Sequence, residues 1–446
     1  MKKIMVAFMV VILCCTMLLG LVGCEKTDKE KENQNQEEKT ISVWWSQEEG
    51  DLTLINDAWN DFYQLYTKGD KKKYDENIKM ATVPGDPGGT TTLEMQISGG
   101  TAPDVVKMDH VYITALGQSG KLLDLNKEFY ADEKIKNQFI ESCWNASTYE
   151  NSTYGIPFDA HTIIWGGKKT VLDVVGVTLP INYEQLIDVS GKLKTSNLED
   201  NIYPYTITGG VDTRYSWPTI TFVHFLYREG GDYLNMEDEN GDGYPDMDKA
   251  VFNDPETGVK ALEKIIRLKE EGFVSPTEHQ DNSILGDYET WKMNSFTEDM
   301  EFDLLPTIKE GVPRWSQLSV YSLAVVNTSE KKELAYDFAV HLATERSSST
   351  DEYYQYTFTK SHSSLPSLKA ATANRDFGDK IKNNFWNVSI EQLELSKYRP
   401  AVSCWPGIEE ILYKAVSEAI RGDKEPQAAL DEAAGKVDAL LAKGNG

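Results

Sequence analysis

One run of oxygen-bearing side chains stands out for its spacing. Asp238-Glu239-Asn240-Gly241-Asp242-Gly243-Tyr244-Pro245-Asp246 fits D-x-N-x-D-G-x-x-D, the first three-quarters of an EF-hand-type calcium loop. Asp238, Asn240, Asp242, the Tyr244 carbonyl and Asp246 fall at alternate positions, which point toward one centre, and Gly243 permits the sharp turn. The twelfth position is Lys249 where the bidentate Glu belongs, with Asp248 beside it as a substitute. Calcium outside cells is about millimolar, so a weak structural Ca²⁺ site would fill there. The alternative is an acidic solvated turn. Catalytic signatures are missing: the sequence has no nucleophile elbow, no HExxH and no P-loop. Asp and Glu are plentiful, so composition does not exclude a glycosidase-like carboxylate pair about 5 to 9.5 Å apart.

The chain that must position these groups has 446 residues, with 71 acidic and 45 basic side chains and a net charge of −26. Cations are too few to neutralise phosphates, which argues against nucleic acid as a partner, and electrostatic docking on an anionic membrane is disfavoured for the same reason. Hydrophobic residues at 40% and aromatics at 11% suffice for the cores of two or three domains. Five cysteines are too few for a disulfide scaffold.

Residues 1–23 are expected to be a signal peptide. Lys2 and Lys3 precede an apolar run from Ile4 to Val22, the n-region and h-region of a secretory signal. Leu21-Val22-Gly23-Cys24 resembles the bacterial lipobox, in which cleavage precedes the cysteine and its thiol takes a diacylglyceryl group. An ordinary signal or a membrane span is the alternative. Residues 24–40 read as a disordered tether, because Glu25 to Lys39 contain no apolar residue and cannot offset their ordering entropy by burial. Two or three acyl chains, palmitate among them, at about 0.8 kcal/mol per buried methylene would anchor such a protein to the cell membrane of a Gram-positive bacterium. No other stretch reaches 18 consecutive apolar residues. Cys143 and Cys404 remain after cleavage. They could pair, but their separation does not decide it, and they form no metal motif.

Beyond the tether, short strand-like runs alternate with amphipathic helical ones. Ile41 to Trp45 reads as a strand, and Ile55, Trp59, Phe62 and Tyr66 recur at helical spacing. Strands follow at Ile78 to Val83 and Asp104 to Met108, with a Pro/Gly turn cluster at 84–89 and a helical face at Leu93 and Ile97 between them. Such a β-α-β-α-β series implies parallel strands. Thr162 to Trp165 and Tyr321 to Val326 are further strand candidates. Asn182 is placed to cap a helix, and Asp254-Pro255-Glu256 opens another with Val259, Leu262, Ile265 and Ile266 on its apolar face. Pro426 opens a terminal helix with Leu430, Ala434, Val437 and Leu441 inward.

The order of these signals resembles an extracellular solute-binding protein, family 1, of carbohydrate ABC importers, the group of the maltodextrin-binding proteins. The residues carrying the resemblance are Trp44-Trp45, Ala102-Pro103-Asp104-Val105-Val106, Leu122-Leu123-Asp124-Leu125, Tyr154-Gly155-Ile156-Pro157, the helix start at Pro180, Gly230-Gly231, Val251-Phe252-Asn253-Asp254-Pro255, Leu304-Leu305-Pro306, Ser322-Leu323-Ala324-Val325 and the aromatic segment ending at Trp405. Asn182-Tyr183 stands where the family usually has Thr-Trp. The resemblance implies a two-lobe periplasmic-binding-protein fold of α/β class and type II, with discontinuous lobes joined by a hinge. The N-terminal lobe would take 41–157 plus 320–363, the C-terminal lobe 158–319 plus 364–446. It also implies a monomer that captures a sugar or oligosaccharide in the interlobe cleft and delivers it to permease subunits without making or breaking a bond. A surface-anchored enzyme or a polysaccharide adhesin is the alternative.

A sugar site needs aromatic plates for the C–H face and polar side chains for the hydroxyl rim. Trp45, Ser46 and Gln47 follow the first strand, where ligands sit in open α/β sheets; Trp45 as a core cap is the alternative. Asp109 and His110 follow the third strand and match family positions that bind hydroxyls. Asp159 falls at the expected crossover between lobes. Arg214, Tyr215 and Trp217 belong to a segment similar to the family's aromatic-Trp-Pro motif. Phe296 stands where many relatives have Trp, Trp315 precedes the return strand, and Tyr398, Arg399 and Trp405 make the late cluster, Trp405 matching a common stacking plate.

Overall fold

In the computed structural model the described residues are 40–85, 90–129, 133–196, 202–206, 217–239, 241, 245–274, 283–296, 299–373 and 376–444. The expected signal peptide and Cys24 lie outside them, as does the tether except for Thr40. The strands are β1 (Thr40–Trp45), β2 (Lys79–Pro84), β3 (Val105–Asp109), β4 (Thr148–Tyr149), β5 (Ser152–Thr153), β6 (Ile156–His161), β7 (Ile163–Lys168), β8 (Tyr203–Thr206), β9 (Ser283–Glu289), β10 (Met300–Asp303), β11 (Ser316–Val325), β12 (Leu365–Pro366) and β13 (Ser396–Tyr398).

Two main sheets divide them. The larger has the order β12-β6-β11-β3-β1-β2, with β13 added alongside β11. β1 runs parallel to both β2 and β3, the arrangement that right-handed crossovers through the helices Glu49–Tyr63 and Thr90–Gly99 produce. β11 returns antiparallel to β3 and β6. The smaller sheet has the order β10-β7-β9-β8. β4 and β5 form a separate hairpin.

Alternation fixes the faces of β1. Ile41, Val43 and Trp45 point into one buried cluster, and Trp44 points into another with Leu93, Val106 and Met108. Helices follow their caps. The Asn182 side chain accepts from the Gln185 N–H at 2.9 Å, ahead of the helix Tyr183–Thr195. Asp254 accepts from the Glu256 N–H at 2.9 Å, and Val259, Leu262 and Ile265 are buried behind it. Gly272, at φ +68°, lies just past the end of that helix. The C-terminal pair Trp405–Arg421 and Pro426–Gly444 buries Ile408, Leu412, Leu430, Val437 and Leu441 in the core under the smaller sheet.

The chain passes between the sheets at Thr162, which separates β6 from β7. There the backbone is tied by small hydroxyls. Thr162 Oγ1 lies 2.7 Å from Ser396 Oγ. Ser316 Oγ accepts from the Ile163 N–H at 3.2 Å and donates to the Ile163 carbonyl at 3.1 Å. Cys143 and Cys404 are both free thiols. Among the described residues, no helix is long and apolar enough to cross a membrane.

Candidate functional site

Parallel strands end on the same side of a sheet, so the carboxyl ends of β1 and β3 bring residues 46–51 and 107–110 to one rim. β6 and β11 add to it from the antiparallel side. Lys107, the middle residue of β3, reaches across to Asp159 of β6, with Nζ 2.8 Å from Oδ1. Its ammonium lies 4.9 Å from the ring centre of Tyr321 and 4.3 Å from that of Phe358. Asp159 Oδ2 lies 3.5 Å from His161 Nε2, and His161 Nδ1 lies 3.2 Å from the Thr290 hydroxyl. The His161 ring meets Tyr321 edge-on at 5.8 Å and Trp291 edge-on at 5.6 Å. Trp291 comes from the short two-turn helix Thr290–Ser295 that follows β9 of the smaller sheet. Both sheets therefore contribute to this surface, and Trp291 keeps 40% of its area exposed on it.

A second ion pair lies beside the first. Asp109 ends β3 and receives a hydrogen bond from Arg399 Nη2, which also donates to Ser319 Oγ at 2.9 Å. His110 Nδ1 is 2.9 Å from Asp109 Oδ1. Gln118 donates to the Ala401 carbonyl at 2.9 Å and fastens the same segment. Burial pushes the Asp109 carboxyl up, but the charge of Arg399 and the hydrogen bonds from His110 and Arg399 outweigh it and hold it well below the usual carboxylate range. Asp159 is likewise lowered: burial opposes ionisation, and Lys107, then His161, overcome it. Burial pushes His110 down and Tyr321 up. The floor thus presents fixed, mutually compensated donors and acceptors beside an exposed indole. That combination can hold hydroxyls by hydrogen bonds and a ring face by contact.

The sequence candidates divide by location. Asp109, His110, Asp159 and Arg399 meet in this polar floor, and Ser46 and Gln47 lie on its rim, Gln47 donating to the Trp45 carbonyl at 3.1 Å. Trp45 does not join them. Its ring is buried, edge-on to Phe158 and Phe358, because it continues the inward face of Ile41 and Val43. Trp405 presents no ring face either: it is 1% exposed and sits edge-on to Tyr233 at 4.9 Å. Phe296 packs inward on Phe302 and Phe385, and the exposed aromatic is Trp291, five residues earlier. Trp315 and Tyr398 line a separate cavity of about 830 Å³ with Tyr227 and Tyr233, where Lys397 pairs with Asp232 at 2.9 Å. Arg214 and Tyr215 lie outside the described residues. Trp217 begins the helix Trp217–Glu229.

Of the acidic loop, Asn240, Asp242 and Tyr244 lie outside the described residues. Asp238 accepts from the Gly241 N–H at 2.7 Å and Asp246 from the Glu239 N–H at 3.1 Å. Lys249 pairs with Glu239 at 2.9 Å, and Asp248 accepts from Asn235 at 3.2 Å.

Lys107, His161, Tyr321 and Trp291 were not singled out from the sequence. Trp291 carried a usable signal, since it follows β9 as Trp45 follows β1.

Two mixed sheets, meeting at a polar floor fed by both, define a two-lobe binding protein. The chain belongs to the bacterial extracellular solute-binding protein family, whose model matches residues 46–347. It is 22% identical to the galactooligosaccharide-binding protein of Bacillus subtilis (strain 168), over 95% of each chain. Its fold is similar to that of the cyclic alpha-maltosyl-1,6-maltose binding protein from Arthrobacter globiformis (TM-score 0.71, 20% identity, 91% of this chain and 99% of that one). The sugar-binding protein MalE from Xanthomonas citri superposes with TM-score 0.70 at 16% identity, over 91% of this chain and 98% of that one. These relatives are binding proteins, not enzymes, and this chain is one also.

Proposed function

We propose that this protein captures an oligosaccharide at the Lys107–Asp159–His161–Trp291 floor and delivers it intact to an ABC permease. The observation that carries the reading is the exposed Trp291 indole set against paired, fully compensated charges. Compensated charges offer a neutral polyol hydrogen bonds without leaving a buried ion unpaired. The names of the relatives, which bind galacto-oligosaccharides and maltodextrin-type sugars, agree with it. Cys24 carries a lipid anchor in this reading, and residues 25–39 are the tether. The acidic loop from Asp238 to Asp246 holds a structural Ca²⁺.

The test is calorimetry with galacto-oligosaccharides and maltodextrins of increasing length on the protein without its lipid. Saturable binding with the sugar recovered unchanged is expected. Cleavage products would reject transport in favour of an enzyme. For the anchor, Cys24→Ala should release the protein from the membrane fraction of cells that express it; continued membrane attachment would reject lipidation at Cys24.

A further inference from the structure

At the edge of the polar floor, three side chains from two elements converge without an assigned role. Glu48 precedes the helix Glu49–Tyr63, Asp51 lies in its first turn, and His362 ends the helix Tyr354–His362. One ligand atom from each lies within 4.8 Å of the other two.

The His362 ring is fixed on three sides. It stacks on Phe358 at 4.0 Å with 12° between planes. Its Nδ1 is 3.0 Å from the Phe358 carbonyl and 3.1 Å from the Ser361 hydroxyl. A carbonyl at Nδ1 is the partner that orients a metal-binding imidazole and leaves Nε2 as the coordinating atom. Nε2 faces Asp51 Oδ1 at 3.2 Å. Two ligands on a tetrahedral zinc ion, each about 2.0 to 2.1 Å from the metal, stand about 3.3 Å apart. That pair is therefore already at chelating separation.

Asp51 supplies an independent observation. It is 3% exposed, and its second oxygen, Oδ2, is buried without a well-formed hydrogen bond, His362 and the Ser46 hydroxyl being the donors that act on the carboxylate. A buried carboxylate oxygen is rarely left without a donor. Glu48 is exposed, and its carboxylate is not used in capping the helix it precedes. Its carboxylate, with an oxygen within 4.8 Å of the other two ligand atoms, completes the set.

We infer that Glu48, Asp51 and His362 form a binding site for a divalent transition-metal ion of the zinc class, with water in the fourth position. Two carboxylates and one imidazole suit zinc better than calcium, which takes six to eight oxygens. The ion replaces the proton on Nε2, which leaves to solvent. Bound there, it ties the start of one helix to the end of another beside Lys107, whose ammonium shares the Phe358 ring. The site stands on these three residues and does not rest on the sugar reading.

The test is zinc titration of the metal-stripped, tag-free protein by calorimetry, with no sugar present. One equivalent is expected to bind, and zinc should raise the melting temperature. His362→Gln and Glu48→Gln should each weaken binding at least tenfold; the Glu48 change is at an exposed position and leaves the fold intact. Failure of the unaltered protein to bind zinc at about 100 μM would overturn the site. So would an affinity in both variants unchanged from that of the unaltered protein, since the zinc would then be held elsewhere.

Discussion

Replacing Trp291 with alanine should weaken ligand binding and leave the fold alone. The indole is 40% exposed, and a large aromatic side chain presents up to about 250 Å². About 100 Å² is thus available to a ligand. At about 25 cal/mol per Å², covering all of it contributes about 2.5 kcal/mol, and covering one face about half as much. Trp291→Ala should therefore raise Kd by a factor between about 8 and about 70. The remaining 60% of the ring is not free of contacts, because it meets His161, so urea unfolding must accompany the titration. The assay is calorimetry with the oligosaccharide that binds the unaltered protein best. A Kd within twofold of the original, with unchanged stability, would remove the indole from the site and with it the main support for a sugar ligand.

Asp159→Asn should remove the counter-charge from Lys107 and leave a buried cation unpaired; a loss of about 3 to 5 kcal/mol in urea unfolding is expected. His341 predicts an acid sensitivity: burial, only partly opposed by Glu345 and Asp61, pushes its pKa down to about 4 from the ordinary 6.5. The folded state keeps this ring neutral while the unfolded chain takes up a proton, so its contribution is complete above about pH 6.5 and declines as pH falls toward 4. Between pH 7 and pH 5 about 2 kcal/mol should be lost, and His341→Phe should flatten that part of the profile; an unchanged slope would reject the assignment. Chelating calcium with EGTA should lower the melting temperature if the Asp238 loop is filled, and indifference to the chelator would leave it an acidic turn.

The sequence conveyed the framework because its strands and helices announce themselves locally. The parallel β1–β3 unit, the caps at Asn182 and Asp254 and the inward faces of the terminal helices all follow from periodicity and capping chemistry. Asp109 stands out in the sequence because it ends β3, and Asp159 because it falls near the passage between lobes; the structure brings both to the polar floor. Aromatics were harder, since a ring serves a core as well as a ligand. The burial of two of them was nonetheless readable. Trp45 shares the alternation of Ile41 and Val43, and Trp405 shares the helical face of Ile408, Leu412 and Val416. Lys107 was hidden inside a strand that reads as core, and only its pairing partner on a strand distant in sequence shows its role.

Where the chain first crosses between sheets, the ties are Thr162, Ser316 and Ser396, three small uncharged side chains; where it returns from β10 to β11, Arg314 pairs with Asp303 at 3.2 Å. A hydroxyl that loses one protein partner can take a water molecule in nearly equal exchange. The contacts at this first crossing are therefore ones that water can replace at small cost. The step at Thr162 is thus held by exchangeable contacts, and the return at Arg314 by a charged one.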